Sequence, residues 1–157
     1  MSASVTVNIA DEVVALLNSA SGGTFTPTFT ATRRYAPYLT LASLATLAVS
    51  VVPTSKDQTF SSREHIDADH DIKIYVQKLL AKAQDPAEID PLTLFAETIG
   101  DYLASDDGSG TSRRLLATSN ASLTKLSGPV LFVKELLEQQ EFSAVITATY
   151  TTQRTFR

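Results

Sequence analysis

The chain has 157 residues, a formal net charge of −4 and no cysteine. One domain with its own core is the natural expectation for that length, and disulfides and thiolate metal sites are excluded. The acidic balance argues against a nucleic-acid grip built on overall basicity. The opening Met-Ser-Ala-Ser-Val-Thr-Val-Asn has neither a basic nor an apolar run, so no secretory signal is expected there. Tyr35 to Ser55 is uncharged, but Pro37, Pro53 and repeated Ser and Thr interrupt it. It is expected as a buried turn leading into a strand, not as a membrane span.

Asn8 to Ala20 is expected as the first helix, with Asn8 as N-cap and Asp11 and Glu12 in the first turn. Ile9, Val13, Leu16 and Leu17 fall on one stripe, and Ser21-Gly22-Gly23 ends it. Thr24 to Tyr35 is predicted as a Thr-rich strand in which Pro27 marks an edge or bulge. Leu39 to Leu44 suits a helical turn, and Leu47 to Val52 a strand ended by Pro53. Thr54 to His65 is polar, a loop or a strand extension. Asp69 to Leu80 alternates cleanly: Ile72, Ile74 and Val76 point one way, and Asp71, Lys73, Tyr75 and Gln77 the other.

Asp90-Pro91 has the form of a helix start, and Leu92, Phe95, Ile99, Tyr102 and Leu103 then share one side. Ser105 to Ser112 reads as a flexible loop and Leu115-Leu116 as a short strand. Gly128-Pro129 reads as a turn, and Val130 to Glu138 as a strand entry followed by a helical turn. Glu141 to Thr151 alternates again, with Phe142, Ala144, Ile146, Ala148 and Tyr150 on one face. The ends, about 1–7 and 153–157, are expected to be flexible. These elements predict a single α+β domain over residues 1–157. Its sheet is mainly antiparallel and four-stranded, with two long helices packed on one face.

No convincing active site stands out. The strongest chemical lure is His65, Asp67, Asp69 and Asp71, with His70 beside them. Imidazole and carboxylates form a ligand set for a divalent metal. If extended, however, successive same-face residues stand about 6–7 Å apart, a long reach to one ion. A solvated acidic lead-in to a strand fits better, so neither metal nor cofactor is expected. Asp106-Asp107-Gly108-Ser109-Gly110 lacks the alternating ligands and closing Glu of a calcium loop, and its glycines do not open a helix after a strand. Asn120-Ala121-Ser122 matches a glycosylation triplet that means little without a secretory signal. The pairs Arg33-Arg34 and Arg113-Arg114, with Arg154 and Arg157, suit phosphate contacts or acids across a subunit interface. Two other classes stay open on this pattern. One is a metal-dependent enzyme using His65, Asp67, Asp69 and His70; the other is a salt-sensitive nucleic-acid binder using the arginine pairs.

Taken in order, several stretches resemble the tail terminator, or tail completion, proteins of tailed bacteriophages. These are Ile9 to Asn18; Phe29 to Tyr35 with Leu47 to Pro53; Asp71 to Lys78; Glu88-Ile89-Asp90 and the helix after it; and Phe142 to Tyr150. Together they reach from about residue 8 to 152, and 105–127 matches nothing in the pattern. The resemblance implies a non-enzymatic virion protein at the head–tail junction, made in the bacterial host cytoplasm. Typically six copies form a ring that caps the tail tube, stops its growth and joins it to the neck. Implied partners are further copies of the chain, the tail tube protein and a neck or head-completion protein. Genomic DNA passes through the lumen without sequence-specific binding, and no membrane is involved. A neck or head-completion (connector) protein of the same junction is the alternative. A head-to-tail ring needs two different complementary faces per subunit. Arg33, Arg34, Arg113 and Arg114 are expected at subunit or partner contacts, with acidic residues of 57–71 facing solvent or lumen.

Overall fold

Two long strands of period two form the centre of the molecule. The strand β3 spans His65–Leu79 and its partner β6 spans Glu141–Thr155. They pair antiparallel from His65 opposite Thr155 to Leu79 opposite Glu141. Each turns alternate residues to one buried face: Ala68, His70, Ile72, Ile74 and Val76 on β3, and Phe142, Ala144, Ile146, Ala148 and Tyr150 on β6. The structure is a computed structural model that describes residues 4–20, 23–37, 44–82, 85–131 and 138–155. Its other strands are β1 (Ala31–Arg33), β2 (Ala48–Phe60), β4 (Leu115–Leu116) and β5 (Ala121–Leu131). Its helices are α1 (Val5–Asn18) and α2 (Pro86–Ala104). The sheet order is β1-β2-β3-β6-β5-β4, with β1 parallel to β2 and the remaining pairs antiparallel.

The expected four-stranded, mainly antiparallel sheet with two long helices is therefore corrected to a six-stranded, mixed and curled sheet with two helices. Proline explains much of the difference. Pro53 does not end β2; it lies at a register shift where pairing with β1 stops at Val51, so its missing N–H costs no ladder bond on that side. Gly128-Pro129 likewise sits inside β5 at a second irregularity, between Ser127 and Val130, and bends the strand rather than closing it. Thr54 to His65 is thus mostly strand: β2 runs to Phe60 and β3 begins at His65. The Thr-rich segment moves the other way, because only Ala31–Arg33 joins a ladder. Phe25 and Phe29 are held by side chains instead, in edge-to-face contacts with Phe95 and Tyr102 at centroid distances of 5.1–6.0 Å.

Helix α1 starts three residues before the predicted Asn8, with Ser4 at the N-cap position and no side-chain cap bond. Helix α2 starts one Asp-Pro pair early: Asp85 accepts from the Ala87 N–H at 3.1 Å and Pro86 opens the helix. Pro91 is tolerated inside, early in the helix. Both helices pack on the inner sheet face. Ile9, Val13 and Leu17 of α1 and Leu92, Phe95, Ala96, Ile99 and Leu103 of α2 join one core with Val49, Val51 and the buried faces of β3 and β6. None of the helices described is long and apolar enough to cross a membrane. The Leu39–Leu44 turn and the helical turn before Glu138 fall largely outside the described residues.

At one end the outer sheet face is also covered. Ser50, Val52, Gln77 and Glu141 are buried there, and Gln77 Nε2 donates to Glu141 Oε1 at 3.1 Å. Leu44 and Val52 are buried but stand apart from the main core. Towards the other end β2, β3 and β6 run on together, and all seven β2 residues from Thr54 to Phe60 are exposed.

Candidate functional site

Along that extension the outer face is a ladder of carboxylates and hydroxyls. The strand pairings arrange it in rows that cross the sheet. One row runs Asp57, Asp69, Thr151, Ser122, Leu115; the next runs Ser55, Asp71, Thr149, Lys125; another runs Thr59, Asp67, Gln153. Each β3 aspartate is met by a donor from β6. Thr149 Oγ1 donates to Asp71 Oδ1 at 2.7 Å, Thr151 Oγ1 to Asp69 Oδ1 at 2.6 Å, and Gln153 Nε2 to Asp67 Oδ1 at 3.1 Å. Ser55 Oγ adds a bond to Asp71 Oδ2 at 3.2 Å. In these rows β2, β3 and β6 carry four aspartates and no lysine or arginine; Lys73 stands on the same face one row further along, opposite Val52 and Thr147. Lys56 and Arg154 belong to the opposite face, across from His70 and Ile66.

The expected His/Asp set does share one face, but it does not converge. Its carboxylates are spread over successive rows, each with its own partner, and His65 Nδ1 lies 3.3 Å from Thr155 Oγ1. Among the described residues no group of three or more His, Asp or Glu could hold a metal ion. His70 is on the other face and fully buried. Its Nδ1 lies 2.8 Å from Thr6 Oγ1 at the start of α1, and its Nε2 lies 3.0 Å from Thr152 Oγ1 of β6. Burial, with Lys56 across the strand pair, pushes the imidazole below its ordinary pKa. It is a neutral strut between helix and sheet. Its even-numbered register with Ile72, Ile74 and Val76 already carried that signal.

The four arginines fall at opposite ends of the sheet. Arg33 is clamped: its Nε donates to Asp11 Oδ1 at 2.6 Å and a second nitrogen to the Tyr35 hydroxyl at 2.8 Å. The hydrogen bonds to Tyr35 and then Asp11 hold its pKa above the usual guanidinium value. Arg34 Nε donates to the Ala36 carbonyl at 3.3 Å. Arg113 stacks over Tyr102, 4.2 Å from the ring centroid, and donates to Ser105 Oγ and the Asp106 carbonyl. Arg114 is exposed; its Nε donates to Ser112 Oγ at 3.3 Å, and its carbonyl accepts from the Leu123 N–H at 2.7 Å. Arg113 also borders an open cleft of about 410 Å3 with Leu16, Tyr102, Asp107 and Thr111. Asp107 is already occupied there, accepting from Ser109 and Thr111, and the Ser109 hydroxyl bond chiefly lowers its pKa. That constellation closes its own loop. The Asp106–Gly110 stretch, expected as a loop without calcium-binding character, is an aspartate-centred turn.

Sequence reasoning counted Asp57 among the acidic residues facing solvent or lumen but not its place opposite Asp69, because Pro53 hid the strand that carries it. It also missed the donors of β6, although Thr149, Thr151 and Gln153 alternate with buried residues in plain view. No family model matches the chain, and no curated protein matches it significantly.

Proposed function

We propose that this chain is a structural virion protein of a tailed bacteriophage, a tail terminator that forms a ring on the tail tube, stops its growth and joins it to the neck. The ordered resemblance described above motivates this function. The observation that carries it is the acidic outer face, Asp57, Asp67, Asp69 and Asp71 in adjacent rows without an intervening cation. DNA bears a phosphate charge about every 1.7 Å of duplex, and a carboxylate wall lets such a polyanion slide by without adhering. A lumen of lysines and arginines would hold it. Chemistry is not demanded of the chain in this role; surface charge and assembly are.

Immunogold electron microscopy on intact particles from the source tests the assignment. Label is expected at the head–tail junction. Particles without label overturn it, and label elsewhere on the virion assigns the chain to another component.

A further inference from the structure

The two ends of the sheet differ in a way that bears on how copies meet. At the β1 end the ladder is closed in part. The Asn18 side chain accepts from the Ala31 N–H at 2.8 Å and donates to the Ala31 carbonyl at 3.0 Å, taking the place of a further strand. β1 covers β2 only as far as Val51. Beyond the irregularity at Thr54, Ser55 to Phe60 pairs with β3 on one side, and no strand among the described residues lies on the other. That stretch contains no proline or glycine, and Phe60 is 78% exposed at its tip. An edge of this length without a neighbour among the described residues is a template for another strand. Its outer face carries Asp57 beside the Asp67–Asp71 stripe.

At the other end β4 is the terminal strand, only two residues long, with Leu115 53% exposed on the outer face. Arg113 and Arg114 precede it, and Lys125 stands on the same outer face of the neighbouring β5. Asp106 and Asp107 lie in the loop before it, the latter taken up by Ser109 and Thr111. Acid is therefore concentrated at one end of the rows and base at the other, with an exposed apolar side chain at each.

Like ends do not fit each other. A two-fold axis normal to the sheet keeps each face on its own side. The β2 edge would then meet its own copy with the aspartate stripes of both subunits side by side, and like charges directly opposite are destabilising. Opposite ends do fit. We propose that copies of this chain associate head-to-tail, the Thr54–Phe60 edge of one seated against the Arg114–Leu115 edge of the next. The choice of a second copy as occupant rests on the ring function proposed above. The pairing of the two ends rests on edge geometry and charge. Such a heterologous contact closes into a ring when its rotation permits, and it keeps the face that bears the aspartates on the same side of successive subunits.

The chain lacks cysteine, so single cysteines report contacts cleanly. Thr59→Cys and Leu115→Cys are purified, one carrying a size tag, and treated with a short bis-maleimide separately and mixed. The mixture is expected to give a mixed dimer about tenfold above the like-with-like product of either variant alone. Like-with-like crosslinking of equal yield, or no crosslink in the mixture at the highest soluble concentration, overturns the proposal. Adding Asp57→Lys to the Thr59→Cys chain should abolish the mixed dimer, and Arg114→Asp on the Leu115→Cys chain should restore it. A swap that fails to restore it, with both proteins folded by circular dichroism, also overturns the pairing. Crosslinking in purified protein without label on particles removes the tail function and leaves the interface. Label at the junction without crosslinking removes the interface alone.

Discussion

His70 makes folding depend on pH in a window where few other groups titrate. Its imidazole is fully buried between Thr6 and Thr152, and desolvation with Lys56 opposite lowers its pKa from 6.5. The unfolded chain takes up this proton more readily than the folded one, so the stability contribution is complete above pH 6.5 and is lost as pH falls through the folded-state value. A single proton bounds the slope of that loss at about 1.4 kcal/mol per pH unit. His70→Gln keeps a side chain able to bond both hydroxyls but removes the titration. Urea unfolding of both proteins between pH 7.5 and 5 isolates the effect, because the carboxylates and His65 are common to both. The wild-type curve should fall away from that of the variant on acidification. Parallel curves would refute the argument that a neutral, buried imidazole joins α1 to β6.

Other positions give sharper structural tests. In Gly128→Ala the new Cβ would stand 2.7 Å from the Val145 carbonyl oxygen at a φ of +101°, while at Gly108, φ +83°, nothing lies within 4 Å. Gly108→Ala should cost about 1 kcal/mol from backbone strain alone, and Gly128→Ala clearly more in the same denaturation assay. Phe95→Ala empties a site packed against Phe25 and Phe29 and should cost about 3–5 kcal/mol. Asn18→Ala removes both bonds to Ala31 and should cost about 1–2 kcal/mol, with faster amide exchange at Ala31 as the local readout.

Where periodicity was strong, the fold was legible. Ile72, Ile74 and Val76, and Phe142 to Tyr150, gave both central strands because a half-buried strand must alternate. Leu115-Leu116 was found as a strand and the α2 face was read correctly from Leu92 to Leu103. The ladder's edges were not legible. Whether a proline ends a strand depends on whether its missing N–H faces a neighbour, and that neighbour, β1, is contributed from 18 residues earlier in the pairing of Ala31 with Val49. The Phe25–Phe29 segment was lost for the converse reason: threonine favours strands, but tertiary contacts with Phe95 and Tyr102 held it outside the ladder. At the site, the shared face of His65, Asp67, Asp69 and Asp71 followed from parity alone. Their partners on β6 required the antiparallel register, which joins residues about 80 positions apart.

Aspartate is a poor strand former, yet four stand on one face of β2 and β3, with Asp57 directly opposite Asp69. The fold does not require their charge, because the donors Thr149, Thr151 and Gln153 need only an acceptor oxygen, which asparagine also offers. Replacing Asp57, Asp67, Asp69 and Asp71 together by asparagine keeps that acceptor and removes the repulsion between neighbouring rows. The quadruple variant should therefore melt at the same temperature as the native chain or higher, with the gain shrinking as salt is added. A fall of several degrees would show that the carboxylates are structural, and the acidic face would then no longer support a lumen wall. An unchanged or raised melting temperature, with duplex DNA retained by the variant at low salt but not by the native protein, would mean that the negative surface serves DNA passage at some expense to the fold.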